Sequence, residues 1–497
     1  MKLSELIKNI DLVELRGEID PEVCDLVYSS KDASSGKCFF AIKGLSSDGH
    51  DFVGDAISNG AAVVVTEKAI SNVGECVNVI VRDTRVAMAE MASRFFGEPT
   101  KSMKLIGITG TNGKTTTTYI LEGIFCEAGF NPGIIGTINY RYNGKIIKAP
   151  RTTPESIDLQ RLLAEMRDSG VDLCIMEVSS HALAQKRVFG CHFDVAVFTN
   201  LTPEHLDYHR DMEEYFEAKA ILFNSLLEVS CKDRAFSVIN GDDPYGRRLS
   251  ANSKRPCMSY GLKNESTITA EGLEFNSNGL KLRVKTPDEV FECRSKLCGR
   301  FNALNILSAI TAACGMGLNS GVISDAIEKL EVVPGRFESI DNDRGILALV
   351  DYAHTPDALE NLLKNARELC DGNGGKLITV FGCGGDRDRA KRPLMGRAVG
   401  SLSDISFVTS DNPRTEKPES IIDEIIPGMD EVAKPLRDGM GYEVVVDRRA
   451  AIQRAVDIAD QGDVVVVAGK GHEDYQILGS DRIHFDDREI LKGFLKE

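Results

Sequence analysis

The chain has 497 residues, of which 42% are hydrophobic and 27% charged, and its net charge is −16. That length suggests several globular domains, and the acidity excludes general nucleic-acid binding, which relies on a basic surface. No apolar run is long enough to cross a bilayer and the N-terminus lacks a signal-peptide core. The 13 cysteines form no Cys-x-x-Cys pair. That pattern points to reduced thiols in a cytoplasm and away from a disulfide framework or a cysteine-bound metal. A first block, residues 1–100, has strand-like runs at 38–42, 61–66 and 77–81 and a helical segment at 84–96. It reads as a small α/β domain ending at Gly97-Glu98-Pro99-Thr100. A second block, 101–334, opens on an apolar strand at 104–108 and continues with strands at 173–178, 195–199 and 236–239 between helical segments. This order predicts a P-loop-type, mostly parallel sheet. Residues 258–296, short runs split by turn residues, read as an antiparallel patch over one sheet edge, followed by a helix at 302–314. A third block, 335–497, alternates helices with strands at 347–351, 377–381, 405–409, 443–446 and 464–468. It predicts a Rossmann-like doubly wound domain, in which ligands gather beyond the carboxyl ends of the strands. The fold class is therefore α/β with three domains, compactly joined around a shared cleft.

The most specific signal is Gly107-Ile108-Thr109-Gly110-Thr111-Asn112-Gly113-Lys114-Thr115-Thr116. Strand, glycine turn, Lys-Thr and helix follow one another, so backbone N–H groups and a helix N-terminus converge on an anion. Lys114 can reach outer phosphates, and the Thr115 hydroxyl can bind a metal. The common phosphate-loop spacing wants glycine at position 108, where this chain has isoleucine.

Polar clusters follow the predicted strands in register: Glu177 to His181, Asn200 to His209, Asp351 to Pro356, Gly382 to Arg389, Asp411 to Arg414 and Gly469 to Glu473. Six such loops in α/β topology argue for one composite site. Glu177 and His205 suit a metal near Thr115, a carboxylate matching Mg²⁺ better than an imidazole. Alternatively, His205, Asp207 and His209 form a hydrogen-bonded loop. Arg387, Arg389, Lys391 and Arg392 form either an anion clamp or a solvated charge run. Pro413 stiffens the turn that aims Arg414, whose planar guanidinium suits a carboxylate. By itself Lys219, in the helical run Tyr215 to Ala220, reads as a surface lysine.

Together these segments resemble the Mur ligase family, ATP-dependent amide-forming enzymes of peptidoglycan precursor synthesis, over essentially the whole chain. Gly110 to Thr116 is that family's spelling of the phosphate loop, which accounts for Ile108. Glu177 to His181, Asn200 to His209, Gly299 to Asn305, Pro334 to Glu338 and Asp351 to Pro356 also match. Asp411 to Arg414 with Gly469 to Glu473 is similar to the members that add meso-diaminopimelate to UDP-N-acetylmuramoyl-L-alanyl-D-glutamate. The resemblance implies that ATP converts the D-glutamate side-chain carboxylate to an acyl phosphate, which the amine of diaminopimelate attacks. It implies Gly110, Thr111, Asn112, Gly113, Lys114, Thr115, Thr116, Asn305, Arg336 and Asp351 around ATP. Thr115, Glu177, His205 and Lys219 would lie around Mg²⁺, Lys219 as its carbamate. Lys114, Lys219, His205 and Glu177 would carry the chemistry. Ser30, Thr152, Thr153, Ser179, Gln185 and Arg187 would hold the nucleotide-sugar precursor. Arg387 and Arg414 would bind the carboxylates of the amino acid, in a pocket with Asp411 and Pro413. Asn412, Gly469 and Glu473 would hold its far ammonium. Arg151 departs from members with asparagine there. The expected enzyme is a cytoplasmic monomer acting on small molecules, without nucleic-acid or membrane partners. Rival readings are a lysine-adding relative, folylpolyglutamate synthase, a regulatory P-loop switch or an inactive paralogue. The first domain and Asp411 to Arg414 argue against the first two, the Arg387, Arg414 and Glu473 constellation against the third, and the full set of Lys114, Thr115, Glu177, Lys219 and His205 against the last.

Overall fold

Runs of β-branched and apolar residues close into three main sheets, and the elements that follow them carry the functional loops. The computed structural model describes residues 1–496 apart from 45, 46, 72, 73, 264, 277 and 278, and apart from the side chains of 372 and 373. The N-terminal sheet runs Leu12–Arg16, Val77–Val81, Val63–Thr66, Lys37–Phe40, Asp25–Val27. Its outermost strand, Leu12–Arg16, pairs antiparallel and the others parallel. The central sheet has 11 strands. Seven of them are parallel, in the order Ile268–Asn276, Cys257–Gly261, Phe236–Asn240, Val195–Phe198, Lys104–Thr109, Leu173–Glu177, Pro132–Ile135. The C-terminal sheet has six strands, in the order Glu338–Ile340, Leu347–Asp351, Val464–Ala468, Leu377–Phe381, Ile405–Val408, Gly441–Val444, with Glu338–Ile340 antiparallel. A hairpin of Tyr475–Leu478 with Asp481–His484 forms a separate two-stranded sheet that bridges to Arg414 through Leu478.

Both faces of each parallel sheet are covered, because successive side chains alternate sides. In the central strands Ile106, Ile175 and Val197 enter one core, while Leu105, Cys174, Met176 and Ala196 enter the other. The C-terminal sheet divides likewise, Leu349 and Val466 from Val350, Val465 and Val467. This two-sided burial is what makes the strands read as unbroken apolar runs.

Three features differ from the sequence-based reading. Cys257–Gly261 belongs to the parallel part, pairing parallel with Phe236–Asn240, so the antiparallel patch begins only where Gly279–Lys285 pairs with Ile268–Asn276 and Val290–Ser295; residues 264, 277 and 278 of that patch lie outside the described residues. The opposite edge carries a second antiparallel hairpin, Asn139–Tyr142 with Lys145–Lys148. Its turn, Asn143-Gly144, has φ of 48° and 75°, the left-handed pair that an Asn-Gly hairpin turn requires. That dipeptide was the legible signal for it. The last parallel strand, expected at 443–446, lies at Gly441–Val444.

Candidate functional site

The phosphate loop leaves strand Lys104–Thr109 and enters helix Lys114–Glu127 directly at Lys114. Gly110 has φ +150° and a Cβ there would lie 1.9 Å from Thr199 Oγ1. Gly113 has φ +87° and a Cβ there would lie 2.3 Å from Asn305 Oδ1. Glycine is therefore needed at both places, for conformation and for room. The loop is pinned from the Asn200 segment: Thr111 N–H donates to Asn200 O (2.8 Å) and Asn112 N–H to Asn200 Oδ1 (2.9 Å). Lys114 Nζ folds back to donate to the carbonyls of Gly110 and Thr111, both at 2.8 Å. Burial holds its ammonium below the usual lysine range despite Glu204 and Glu177.

Glu177 ends its strand buried beside this loop. Its Oε2 accepts from Thr115 Oγ1 (3.1 Å) and Thr137 Oγ1 (2.8 Å), and its Oε1 from Thr137 N–H (3.0 Å). Lys219, read from sequence alone as a surface side chain, is 1% exposed. Its Nζ donates to the same Gly110 carbonyl (2.9 Å) and lies 4.5 Å from the centre of the Tyr215 ring. Burial, with Lys114 adding to it, drives Lys219 well below an ordinary lysine, which favours the neutral, nucleophilic amine.

His205 sits at φ +58° on the neighbouring loop, its Nε2 3.6 Å from a Glu204 oxygen. Its ring meets His181 edge-on at 4.8 Å, and His209 tilts over Tyr215 at 5.1 Å. Burial lowers His205 and His181 to about 4 each, so both imidazoles are neutral at pH 7, the form that binds metals. His209 donates to or accepts from Ser180 Oγ (3.0 Å), so His205 and His209 separate in role: one faces the cavity and the other braces the loop. Among the described residues no three His, Cys, Asp or Glu side chains gather as a ready-made metal cage. Mg²⁺ does not need one, since it is usually held by one or two carboxylates with water and phosphate oxygens. The hard oxygens of Glu177 and Thr115 beside the phosphate loop fit that demand.

Opposite the loop, the C-terminal sheet contributes the other wall of a cavity of about 700 Å³. Arg336 stacks over Tyr352 (4.6 Å) and reaches Thr115 Oγ1 (3.4 Å), while its buried Nε has no hydrogen-bond partner among the described residues. An unpartnered buried guanidinium N–H beside a glycine cradle fits a phosphorylated ligand. Asn305 is fixed by its Nδ2 donating to Asn302 Oδ1 (2.8 Å). Asp351 accepts from the N–H groups of Phe337 and Ala353, both at 2.7 Å. Burial nevertheless raises its pKa, against the pull of Arg336. The two sheets meet where Asp357 Oδ2 accepts from Thr202 Oγ1 (2.6 Å) and Asn112 Nδ2 (3.4 Å).

Thr152, Thr153, Ser179 and Arg187 line the same cavity. Thr153 Oγ1 donates to Glu177 O (2.9 Å) and accepts from Ser179 N–H (3.1 Å). Arg187 donates to Thr153 O (3.1 Å) and to Gln185 Oε1 (2.6 Å). Arg151 pairs with the buried Glu155 at 2.5 Å, as Arg187 does at 3.0 Å and Arg85 of the N-terminal block at 3.5 Å. Gln185 and Ser30 do not line the cavity. Ser30 begins a short turn, Ser30–Asp32, in the N-terminal block.

The remaining residues form a second cluster, outside that cavity. A Cβ on Gly384 would lie 3.0 Å from Arg414 Nη1 and 3.7 Å from Arg387 Cγ, so the two arginines flank one turn. Arg414, at φ +53°, donates to Gly385 O (2.6 Å). Arg387 is exposed. The basic run divides: Arg392 is 1% exposed and pairs with Glu416 and Glu424, whereas Arg387 stays by the turn. Gly469 is pressed against Asp411, whose Oδ2 would stand 2.7 Å from a Cβ there. Asn412 Nδ2 donates to Glu473 Oε2 (2.8 Å), and Tyr475 Oη donates to Glu473 Oε1 (3.2 Å). Asn412 thus meets Glu473 with its amide hydrogens, and the Glu473 oxygens are the anionic acceptors of this corner. Behind it, Arg448 and Asp487, both fully buried, pair at 2.7 Å and Arg448 donates to Ala468 O (2.9 Å). Sequence reading passed over Glu204, Asp357, Tyr475 and Arg448. Asp357 and Arg448 carry no mark in their spacing, since they act through contacts with Thr202 and Asp487 made across the fold; Glu204 and Tyr475 sit beside residues that were read, His205 and Glu473.

A nucleotide-type loop at a parallel sheet, facing a doubly wound domain across a cavity rich in lysine, arginine and carboxylate, defines a multidomain ATP-using enzyme. The family comparisons agree with that class: residues 25–96 match the Mur ligase family, catalytic domain, 108–313 the Mur ligase middle domain, and 335–471 the Mur ligase, glutamate ligase domain. The chain belongs to the Mur ligase family and is an ATP-dependent ligase. It is 48% identical to the UDP-N-acetylmuramoyl-L-alanyl-D-glutamate–2,6-diaminopimelate ligase of Geobacter sulfurreducens, over 98% of this chain and 97% of that one. It is 44% identical to the ligase of the same name from Syntrophomonas wolfei, with both chains covered in full. A solved structure of a ligase of that name superposes with a TM-score of 0.71 at 31% identity, covering 100% of this chain and 98% of the other. The MurF ligase of Thermotoga maritima in complex with ADP shares the fold, with a TM-score of 0.59 at 19% identity over 95% of this chain and 96% of that one.

Proposed function

We propose that this chain joins meso-diaminopimelate to the D-glutamate side-chain carboxylate of UDP-N-acetylmuramoyl-L-alanyl-D-glutamate, using ATP with Mg²⁺, as a cytoplasmic monomer in peptidoglycan precursor synthesis. One observation carries the choice of amino acid: Arg387 and Arg414 flank one turn of the third domain, and the Glu473 carboxylate lies in the same loop cluster. A side chain ending in both a carboxylate and an ammonium satisfies both. Lysine would leave the guanidinium groups unmatched, which in a site built for the missing group costs on the order of 10³-fold in kcat/KM. The full-length similarity to relatives named for this reaction supports the reading.

A carboxylate resists attack by an amine. Transfer of the γ-phosphoryl group of ATP gives an acyl phosphate and ADP. The diaminopimelate amine then adds to its carbonyl carbon, and the tetrahedral intermediate expels phosphate to leave the amide. The work of the first step is positioning and charge neutralisation. Residues Gly110 to Thr116 cradle the phosphates and Lys114 neutralises the outer ones. Asn305 and Arg336 hold the nucleotide and Asp351 its sugar. Thr115 and Glu177 would hold Mg²⁺, which would supply further positive charge near the phosphates. His205 and Lys219, the latter as its carbamate, would hold a metal near the reacting carboxylate. Burial favours the neutral amine at Lys219, the form that adds to CO₂, and the resulting anion would replace an ammonium that would repel the metal. Ser30, Thr152, Thr153, Ser179, Gln185 and Arg187 hold the precursor. Glu473, oriented by Asn412 beside Gly469 and Asp411, takes the far ammonium. Domain roles follow: 1–100 for the precursor, 101–334 for ATP and 335–497 for the amino acid.

The test is a ligation assay with the precursor, ATP, Mg²⁺ and either meso-diaminopimelate or lysine, with products identified by mass. Diaminopimelate should be the efficient acceptor. Equal kcat/KM for lysine overturns the assignment.

A further inference from the structure

We infer that Lys470 is a positioning residue that sets the ammonium-recognising corner of the amino-acid site; the inference rests on the function proposed above. Lys470 follows strand Val464–Ala468 and is 0% exposed, so it cannot touch a substrate directly. A buried ammonium is costly unless it is paired and hydrogen-bonded, and its partners show what it is for. Besides the Tyr475 carbonyl, Lys470 Nζ lies 3.5 Å from Asn412 Oδ1 and 3.5 Å from Glu473 Oε2.

The contact with Asn412 decides which way that amide faces. Its Oδ1 accepts both from Lys470 and from the Ile477 N–H (3.0 Å), so the oxygen is committed inward by two donors. The Nδ2 is therefore turned to Glu473 Oε2 at 2.8 Å. Glu473 Oε1 is held from the other side by Tyr475 Oη (3.2 Å). Both oxygens of Glu473 are thus fixed, with lone pairs to spare for a cation. Lys470 is the buried counter-charge that lets a carboxylate sit here ready-made, with its amide partner already turned. Without that ammonium, Asn412 Oδ1 keeps one donor of its two, and Glu473 loses its charged neighbour. The corner then loses its preference for an incoming ammonium, while the Arg387 and Arg414 side of the site is untouched.

A purely structural lysine would lower activity on every substrate alike. A positioning lysine changes a ratio. The measurement is kcat/KM for meso-diaminopimelate divided by that for 2-aminopimelate, which keeps the distal carboxylate and lacks the distal amine, in the full-length enzyme with precursor and ATP saturating. Lys470→Met should cut this ratio about tenfold, with the KM for ATP unchanged. Tyr475→Phe, which removes one hydroxyl and spares the buried charge, should cut it by a smaller factor, roughly threefold. A ratio is insensitive to the fraction of folded enzyme, and if Lys470→Met does not fold, Tyr475→Phe carries the test. Ratios within about twofold of the unmutated enzyme overturn the inference. Unmutated enzyme that does not use diaminopimelate at all overturns the functional reading instead.

Discussion

At the residue scale, Lys219 shows how far a fold can change what a side chain means. Its helix reads Tyr-Phe-Glu-Ala-Lys-Ala, and no periodicity separates it from a solvated lysine; only its burial under the phosphate loop, sharing the Gly110 carbonyl with Lys114, does so. Two ammonium groups on one carbonyl are unfavourable, and burial with Lys114 nearby pushes Lys219 toward the neutral amine. Labelling with ¹³C-bicarbonate should give a carbamate signal in the unmutated enzyme that Lys219→Ala lacks, and stripping CO₂ should lower the rate of phosphate release reversibly. Arg414 was legible from the outset because Pro413 fixes the turn before it. Arg414→Ala should lower kcat/KM for diaminopimelate on the order of 10²-fold, with the KM for ATP changed less than about twofold. A parallel rise in both KM values would show that Arg414 supports the fold and not the amino acid.

At the element scale, the strands that bear functional loops were the legible ones. Lys104–Thr109, Leu173–Glu177, Leu347–Asp351 and Val464–Ala468 are buried along most or all of their length, so each appears in the sequence as an apolar run ending in polar residues. The hairpin Asn139–Tyr142 with Lys145–Lys148 was missed because its second strand is mostly exposed, which leaves the Asn-Gly turn as its one strong mark. The loop after Val464–Ala468 also holds His472, which burial and, less strongly, Arg336 and Arg488 lower to about 3. An unfolded histidine titrates near 6.5. Between those values the unfolded chain binds a proton that the folded chain refuses, so this stability is present above about pH 6.5 and is lost as pH falls toward 3. Tm should drop on acidification from pH 7 to 5, and His472→Phe should make that drop shallower. An unchanged slope would place the acid sensitivity elsewhere.

At the scale of the whole molecule, the function proposed above would divide the substrates among three domains. The phosphate loop and Lys219 line one cavity, the arginine and glutamate cluster lies outside it, and the contact of Asp357 with Thr202 and Asn112 joins the central and C-terminal sheets. The order of three blocks was legible in the sequence; the contacts between them were not, because a residue such as Asp357 gains its partners only when distant segments of the chain meet. Such a division would have a chemical consequence: ATP should be turned over continuously only when the carboxylate that accepts the phosphoryl group and the amine are both supplied, since neither domain alone would complete the site. Phosphate release, followed continuously with each substrate withheld in turn, tests this directly. Sustained release should require ATP, UDP-N-acetylmuramoyl-L-alanyl-D-glutamate and meso-diaminopimelate together, with one phosphate for each tripeptide product formed. Sustained release that ignores the precursor or the diaminopimelate would contradict the account.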